Sequence, residues 1–353
     1  MFDPGIQRYV LYALLAAVLF SLSTPAAKVL LDGASPLMLA GLLYLGQGVG
    51  LLAYRLGTRY FFTAKNPACR ERVLQGTEYV WLAGAVVTGG MLGPVLLFWG
   101  LSGTSASSAS LLLNFEGVLT VLVAMALFHE AVGRRVWFAA FIMLVAGLLL
   151  TYDPHADWKI SPNALAVVGC CLMWAFDNNM TRHISAGDPV FIAIVKGLIA
   201  GCINIGLGYA TGGDFPRHWF GAMVMGFFCF GVSQVFFIYA LRQLGSARAG
   251  IYFSIAPFLG AGVSILLLDE AVSKNFVAGF ILMAAAVWQL SGEHHEHEHE
   301  HTNLEHSHLH GHDAHHQHVH AHTDASPHSH PHVHEEIIHA HAHTPDIHHR
   351  HTH

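Results

Sequence analysis

Ten apolar runs of about 17 to 24 residues follow one another along this chain, at 9–31, 36–56, 79–100, 105–128, 135–151, 163–181, 189–209, 218–241, 247–268 and 274–290. A helix of that length covers about 30 Å of hydrocarbon. In lipid every backbone N–H and C=O must be satisfied within the structure, which leaves helices or a closed barrel. Barrel strands alternate in segments of about ten residues, and these runs do not. The connections are mostly short, so consecutive helices are expected to lie antiparallel in a bundle. A soluble globular enzyme is excluded by the composition, 53% apolar and 11% charged. The first run is too long for a signal h-region and is followed by nine like it, so an uncleaved first span is expected.

The net charge of −6 conceals two unlike parts. Residues 293–353 hold 25 of the 29 histidines, 10 of the 23 acids and one of the 17 basic residues, which leaves 13 acids and 16 bases in residues 1–292. Neither part carries the Lys/Arg stripe of a nucleic-acid binder. Arg55, Arg59, Lys65, Arg70 and Arg72 crowd the loop after the second run. Basic loops stay cytoplasmic, so that loop and, with an even number of spans, both termini are expected in the cytosol, in the cytoplasmic (inner) membrane. Five cysteines show no paired spacing and imply no disulfide framework.

The two halves of the membrane part resemble each other. Residues 109–132, ASLLLNFEGVLTVLVAMALFHEAV, align without gaps on 249–272, AGIYFSIAPFLGAGVSILLLDEAV, which sets Glu130 on Glu270 at an offset of 140. Earlier in each half, the GASP ending at Pro36 matches the AGDP ending at Pro189 at an offset of 153. Five spans is an odd number, so the second copy enters the membrane upside down. The fold class expected is an all-α membrane protein of ten transmembrane helices in two five-helix inverted repeats, 1–151 and 152–292, with a disordered histidine-rich tail, 293–353. Such repeats place a substrate site near mid-membrane at their interface.

With HEAV at 129–132, DEAV at 269–272, the polar turns GTSASSAS and LGSARAG, Pro257, and Pro36 and Pro189 opening the second and seventh runs, the chain resembles the drug/metabolite transporter superfamily, in particular its EamA-type members. The resemblance covers about residues 9–290 and implies ten spans and solute transport. Two departures stand out. Family members often carry an arginine about seven residues after the proline opening span two, where this chain has Leu43, with Lys196 at the matching place of the second half. The glycine usual before the loop glutamate is replaced by His129 and Asp269.

Ionisable groups inside a span are costly and are functional candidates by default. Glu116, Asp177 and Lys196 lie well inside their runs, while Lys28 stands near a span end, where a lysine usually snorkels to the headgroups. For Glu116 the alternative to a transport role is an ion pair with Lys196 or Lys28. Asn178 belongs to a polar patch with Asp177 and Asn179, which otherwise reads as the cytoplasmic end of a span that starts earlier. Asn114, Gln47, Asn204 and Gln234 are candidate walls or packing contacts. Glu130 and Glu270, at span ends, are either transport residues or caps for neighbouring loops. Pro25, Pro94 after Gly89, Gly90 and Gly93, and Pro257 are expected to kink their helices.

The tail alternates histidine with acids and small residues. Imidazole nitrogens in such density suit Zn, Ni, Co or Cu. The candidate ligands are His294, His295, His297, His299, His301, His308, His310, His312, His316, His318, His320, His322, His330, His332 and His334. A pH-responsive polyelectrolyte is the companion reading, because metal and proton compete for the same nitrogens.

The function expected is secondary transport of a small solute, a metabolite or a transition-metal ion or chelate, by alternating access, with a cytosolic tail that binds Zn, Ni or Co. The alternative is a membrane-anchored metal buffer or sensor without transport. An enzyme is not expected, since no metalloprotease, nucleophile or nucleotide motif appears, and no cofactor is required. The partners expected are the lipid bilayer, the small-molecule or metal-ion substrate and a second copy in a homodimer, with no nucleic acid.

Overall fold

The computed structural model describes residues 4–61, 71–128, 134–152 and 160–291, and in the tail 295–301, 304–310, 328–334 and 337–343. Among the described residues the membrane part is helical apart from its turns, short loops and two isolated bridges. Among the described residues seven helices are long and apolar enough to cross a membrane: Gln7–Gly33, Pro36–Thr58, Glu78–Ser102, Ala106–Leu127, Arg134–Thr151, Pro189–Ala210 and Trp219–Leu244. The chain is therefore an all-α protein that spans the bilayer several times. The remaining three runs are helical as well. The run at 163–181 forms one 23-residue helix whose second half is polar, and the last two form shorter apolar helices, Ala256–Leu268 and Lys274–Gln289.

The elements are α1 (Pro4–Ser21), α2 (Ser23–Leu30), α3 (Pro36–Phe61), α4 (Glu78–Ala85), α5 (Gly93–Ser102), α6 (Ala106–Leu112), α7 (Phe115–Phe128), α8 (Arg134–Thr151), α9 (Pro162–Ile184), α10 (Pro189–Ala210), α11 (Trp219–Met225), α12 (Ser233–Phe253), α13 (Ala256–Leu268) and α14 (Lys274–Ser291). Three of them start with the same device. Ser35, Ser161 and Asp188 accept from backbone N–H groups of the first turns of α3, α9 and α10, and each is followed by a proline whose missing N–H costs nothing there.

Two seven-residue π-helical segments interrupt the bundle, Val86–Leu92 between α4 and α5 and Gly226–Val232 between α11 and α12. They stand at the offset of 140 that aligns Glu130 with Glu270. Such bulges concentrate at functional sites. In the first, the Gly93 N–H bonds to Thr88 O, in the wide register. The next donor in that register would be Pro94, which has none, so Gly89 O is left for side chains to satisfy.

Helices α3 and α10 cross closely. A Cβ on Gly197 would stand 2.5 Å from Gly48 N, and one on Gly201 would stand 2.5 Å from Leu45 N. Only glycine lets the backbones come this close, the usual device where lipid offers no hydrophobic drive for helix association. Elsewhere α1 lies along α12, α8 along α14, and α9 between α5 and α7. At one end of the bundle Arg242 ties the loops together, donating to Ser185 O, Gly187 O and Glu71 Oε2, with Arg55 paired to Asp188 at 2.9 Å.

Four tail segments have strand backbone: β1 (His295–His301), β2 (Leu304–His310), β3 (His328–His334) and β4 (Ile337–His343). They pair antiparallel as β1–β4 and β2–β3, with His297 opposite His341 and His308 opposite His330. These stretches lie within the tail that the sequence suggests is disordered. The alternation of histidine with a second residue type has the period of two that a strand requires.

Candidate functional site

Five of the polar residues picked out inside the runs, Gln47, Glu116, Asp177, Asn178 and Gln234, converge on one cavity of about 70 Å³, room for a few water-sized molecules. Glu116, Asp177, Asn178, Gln47, Gln234, Ser233 and Tyr44 line it with a set of aromatic rings. Asp177 from α9 and Lys196 from α10 form its buried ion pair. Lys196 Nζ stands 2.7 Å from both carboxylate oxygens, with the two side chains 0% and 9% exposed. Thr181, one turn on from Asp177, donates a third hydrogen bond to it at 2.9 Å. The carboxylate fits there because position 89 is glycine, where any Cβ would collide with Asp177 Oδ2.

Glu116 opens α7 and takes a different partner from the two lysines considered for it. Its Oε1 accepts from Asn178 Nδ2 at 2.6 Å, so it is held by an amide rather than a cation. The cavity thus contains a compensated pair beside a carboxylate without a bonded counter-charge. Under the repeat offsets, Glu116 stands against Ala256, Asp177 against Thr24 and Lys196 against Leu43. All three charges therefore belong to one repeat position each and have no ionisable mate in the other half.

The free carbonyl of Gly89 in the π segment is taken by Tyr44 OH at 2.7 Å and by Trp174 Nε1 at 3.2 Å. Asn204 Nδ2 reaches Gly90 O at 3.3 Å, and Gln47 bridges Ala193 O and Gln234 Oε1. Around this polar floor Phe20 contacts Trp174, Phe230 and Phe253, with ring centroids 5.4–5.9 Å apart. Tyr44, Trp174 and these phenylalanines were not distinguished in the sequence. An aromatic ring in an apolar run reads the same whether it faces lipid or a cavity.

Other expected residues lie elsewhere. Glu270 is a cap: its two oxygens accept from Ala106 N at 2.6 Å and Ser107 N at 2.8 Å, at the start of α6. Lys28 donates to Leu101 O and Thr104 O at the end of α5. Asn114 is buried at the break between α6 and α7, away from the ion pair, with Nδ2 on Leu111 O. Glu130 lies outside the described residues, as do His294, His312, His316, His318, His320 and His322. His295, His297, His299 and His301 fall on β1, His308 and His310 on β2, and His330, His332 and His334 on β3. Among the described residues no group of three or more His, Cys, Asp or Glu is placed to hold a metal ion.

With this geometry in view, a family model described as the EamA-like transporter family matches residues 7–152 and again 162–292. The chain belongs to the EamA-like transporter family. It is a membrane transporter by membership, not an enzyme. It is 22% identical over 284 residues to an uncharacterized transporter of Methanothermobacter thermautotrophicus, covering 76% of this chain and 82% of the relative. It is 19% identical over 299 residues to an uncharacterized transporter of Clostridium kluyveri, covering 79% and 91%. A solved crystal structure shares the fold at a TM-score of 0.57 and 17% identity, across 80% of this chain and 94% of that one.

Proposed function

We propose that this EamA-like chain is a secondary transporter of ten spans in two inverted repeats, moving a small solute through the cavity around Glu116 by alternating access. The observation that carries the reading is the part-buried Glu116 carboxylate lining the cavity, held by Asn178 beside the closed Asp177–Lys196 pair. In this role Glu116 exchanges cargo or proton, Asn178 orients it, and the pair supplies fixed dipoles at the base of the site. The paired π segments and the double match of the family model support the repeat assignment. The cavity is too small for anything beyond a few heavy atoms unless its walls move, which alternating access requires.

The aromatic wall and single uncompensated carboxylate favour a small organic solute carrying a positive charge over a bare transition-metal ion. Rings face cations well, and metal ions of that class prefer imidazole and thiolate. The tail is then a cytosolic arm that binds Zn, Ni or Co, with both termini in the cytosol and the bundle in the inner membrane as a homodimer. The test is uptake into proteoliposomes, with and without a proton gradient, of ring-bearing organic amines beside zinc, nickel and cobalt. Glu116→Gln should bring uptake to the level of empty liposomes while the protein still purifies folded. Full activity in that variant would move the site elsewhere, and metal flux would make the tail a handling arm for the cargo.

A further inference from the structure

Three helices lead from the cavity to the end of the bundle that holds Arg55, Arg72 and Arg242, and each carries its polar residues there in strides of four. On α9 the stride is Asp177, Thr181, Ser185; on α10, which runs the other way, it is Lys196, Ile192, Asp188; on α12 it is Gln234, Ile238, Arg242. Residues four apart stack on one face of a helix, so the three strides build layers. The first layer is the cavity, with Asp177 and Gln234 in its wall and Lys196 paired to Asp177. Eight residues of helix separate it from the last layer, a depth of about 12 Å.

Between them lies an apolar plug. Ile184, Ile192 and Ile238 pack with Leu74 and Leu82 in a buried cluster of their own. Above the plug Arg242, itself buried, gives each nitrogen of its fork a different acceptor. Nε donates to Ser185 O at 2.9 Å, Nη2 to Gly187 O at 2.6 Å and Nη1 to Glu71 Oε2 at 2.9 Å. The other Glu71 oxygen accepts from Tyr239 OH at 3.3 Å. Ser185 and Gly187 belong with Arg242 to residues 152–292, so those two bonds fix the guanidinium within the second half of the chain. Glu71 belongs to the first half, as do Leu74 and Leu82 of the plug. Plug and Glu71–Arg242 contact are therefore both seams between the two halves.

We propose that Arg242 is a positioning residue of the transport cycle: with Glu71 it latches a gate closed over this plug, and the cavity opens toward the basic end of the bundle when that contact between the halves breaks. The two carbonyl bonds keep the guanidinium aimed at Glu71 in one geometry, so the halves close again in register. A planar fork with separate donors can do this, and a lysine ammonium cannot. Parting the halves strips a charge-assisted bond and uncovers the apolar plug, so the latched arrangement is the resting one. Passage of cargo through the gate rests on the transport reading; the closure of the cavity on this side does not.

Cys229 provides the reporter, since it lines the cavity and is 4% exposed. A cavity of about 70 Å³ admits no thiol reagent while closed, so modification of Cys229 measures opening. The experiment treats inside-out and right-side-out membrane vesicles holding the full chain with a membrane-impermeant methanethiosulfonate, and reads Cys229 by peptide mass spectrometry. Labelling of Thr77→Cys, at an exposed position just before α4, identifies the face on which the basic end lies. Losing a charge-assisted hydrogen bond shifts an equilibrium by about tenfold or more, so Glu71→Ala should speed labelling from that face at least about tenfold and leave the opposite face unchanged. Arg242→Lys, which keeps the charge and loses the fork, should speed it on the same face. The effect of Glu71→Ala should persist in a Glu116→Gln background without uptake, which separates the gate from the transport reading. Unchanged labelling in Glu71→Ala and Arg242→Lys would overturn the proposal. An equal rise from both faces would overturn it too, because it would mean that the contact only holds the fold together.

Discussion

Removing one partner of the Asp177–Lys196 pair should cost far more than removing both. Lys196 is fully buried and touches both Asp177 oxygens at 2.7 Å, so Asp177→Asn leaves an ammonium with no bonded counter-charge. Breaking a buried pair from one side costs about 3–5 kcal/mol. Asparagine keeps the shape and one acceptor, and a hydrogen bond retained is worth about 1 kcal/mol, so the expected loss is about 2–4 kcal/mol. Adding Lys196→Met removes the stranded charge and replaces it with an apolar chain of similar length. The double variant should then lie within about 1 kcal/mol of the parent, or above it. The assay is unfolding of the detergent-purified chain by titrated dodecyl sulfate, followed by tryptophan fluorescence, with Trp174 in the same cavity. Two mild single variants whose effects simply add would refute the reasoning, because they would mean that Lys196 is compensated by something other than Asp177. The double variant should also be inactive in uptake, which separates a folded bundle from a working one.

Three further outcomes follow from the geometry. Glu270→Ala strips two charge-assisted bonds from the start of α6 and should destabilise the bundle by about 1–3 kcal/mol, read in the same unfolding assay, while Glu270→Gln should lose less. Gly197→Val should prevent the α3–α10 crossing, since its Cβ would meet Gly48 backbone at 2.5 Å, and the variant should fail to yield folded protein by size exclusion. Deleting residues 293–353 should abolish high-capacity zinc and nickel binding by equilibrium dialysis and leave the Tm of the bundle unchanged; unaltered metal stoichiometry would sink the tail assignment.

Helix positions were legible in the sequence because an apolar run long enough to cross a bilayer has no alternative backbone structure there. The breaks were legible in part: Pro25, Pro94 and Pro257 each sit just beyond one, near the start of the following helix. The width of the π segments was not, since Gly226–Val232 forms one without any proline. Asp177 and Lys196 stood out as expensive residues inside spans, but their partnership did not. It brings together residues 19 apart on two helices that reverse direction between them, while the sequence offered Glu116 as the counter-charge. The role of Glu270 as a cap was one of two open readings, and its partner lies 164 residues away.

By itself the sequence determined that this chain lives in a membrane, folds as helices, repeats its first half in its second, and ends in a histidine tail. Those are properties of local hydropathy and composition, and lipid enforces them without reference to any contact. Tertiary structure alone decided which polar groups pair and which aromatic rings leave the lipid to line a cavity. The reason is helix rotation. Where nearly every face is apolar, hydropathy cannot select the inward one. The face is chosen by glycine contacts such as Gly48 on Gly197, and by the need of each buried charge and freed carbonyl for a partner on another helix.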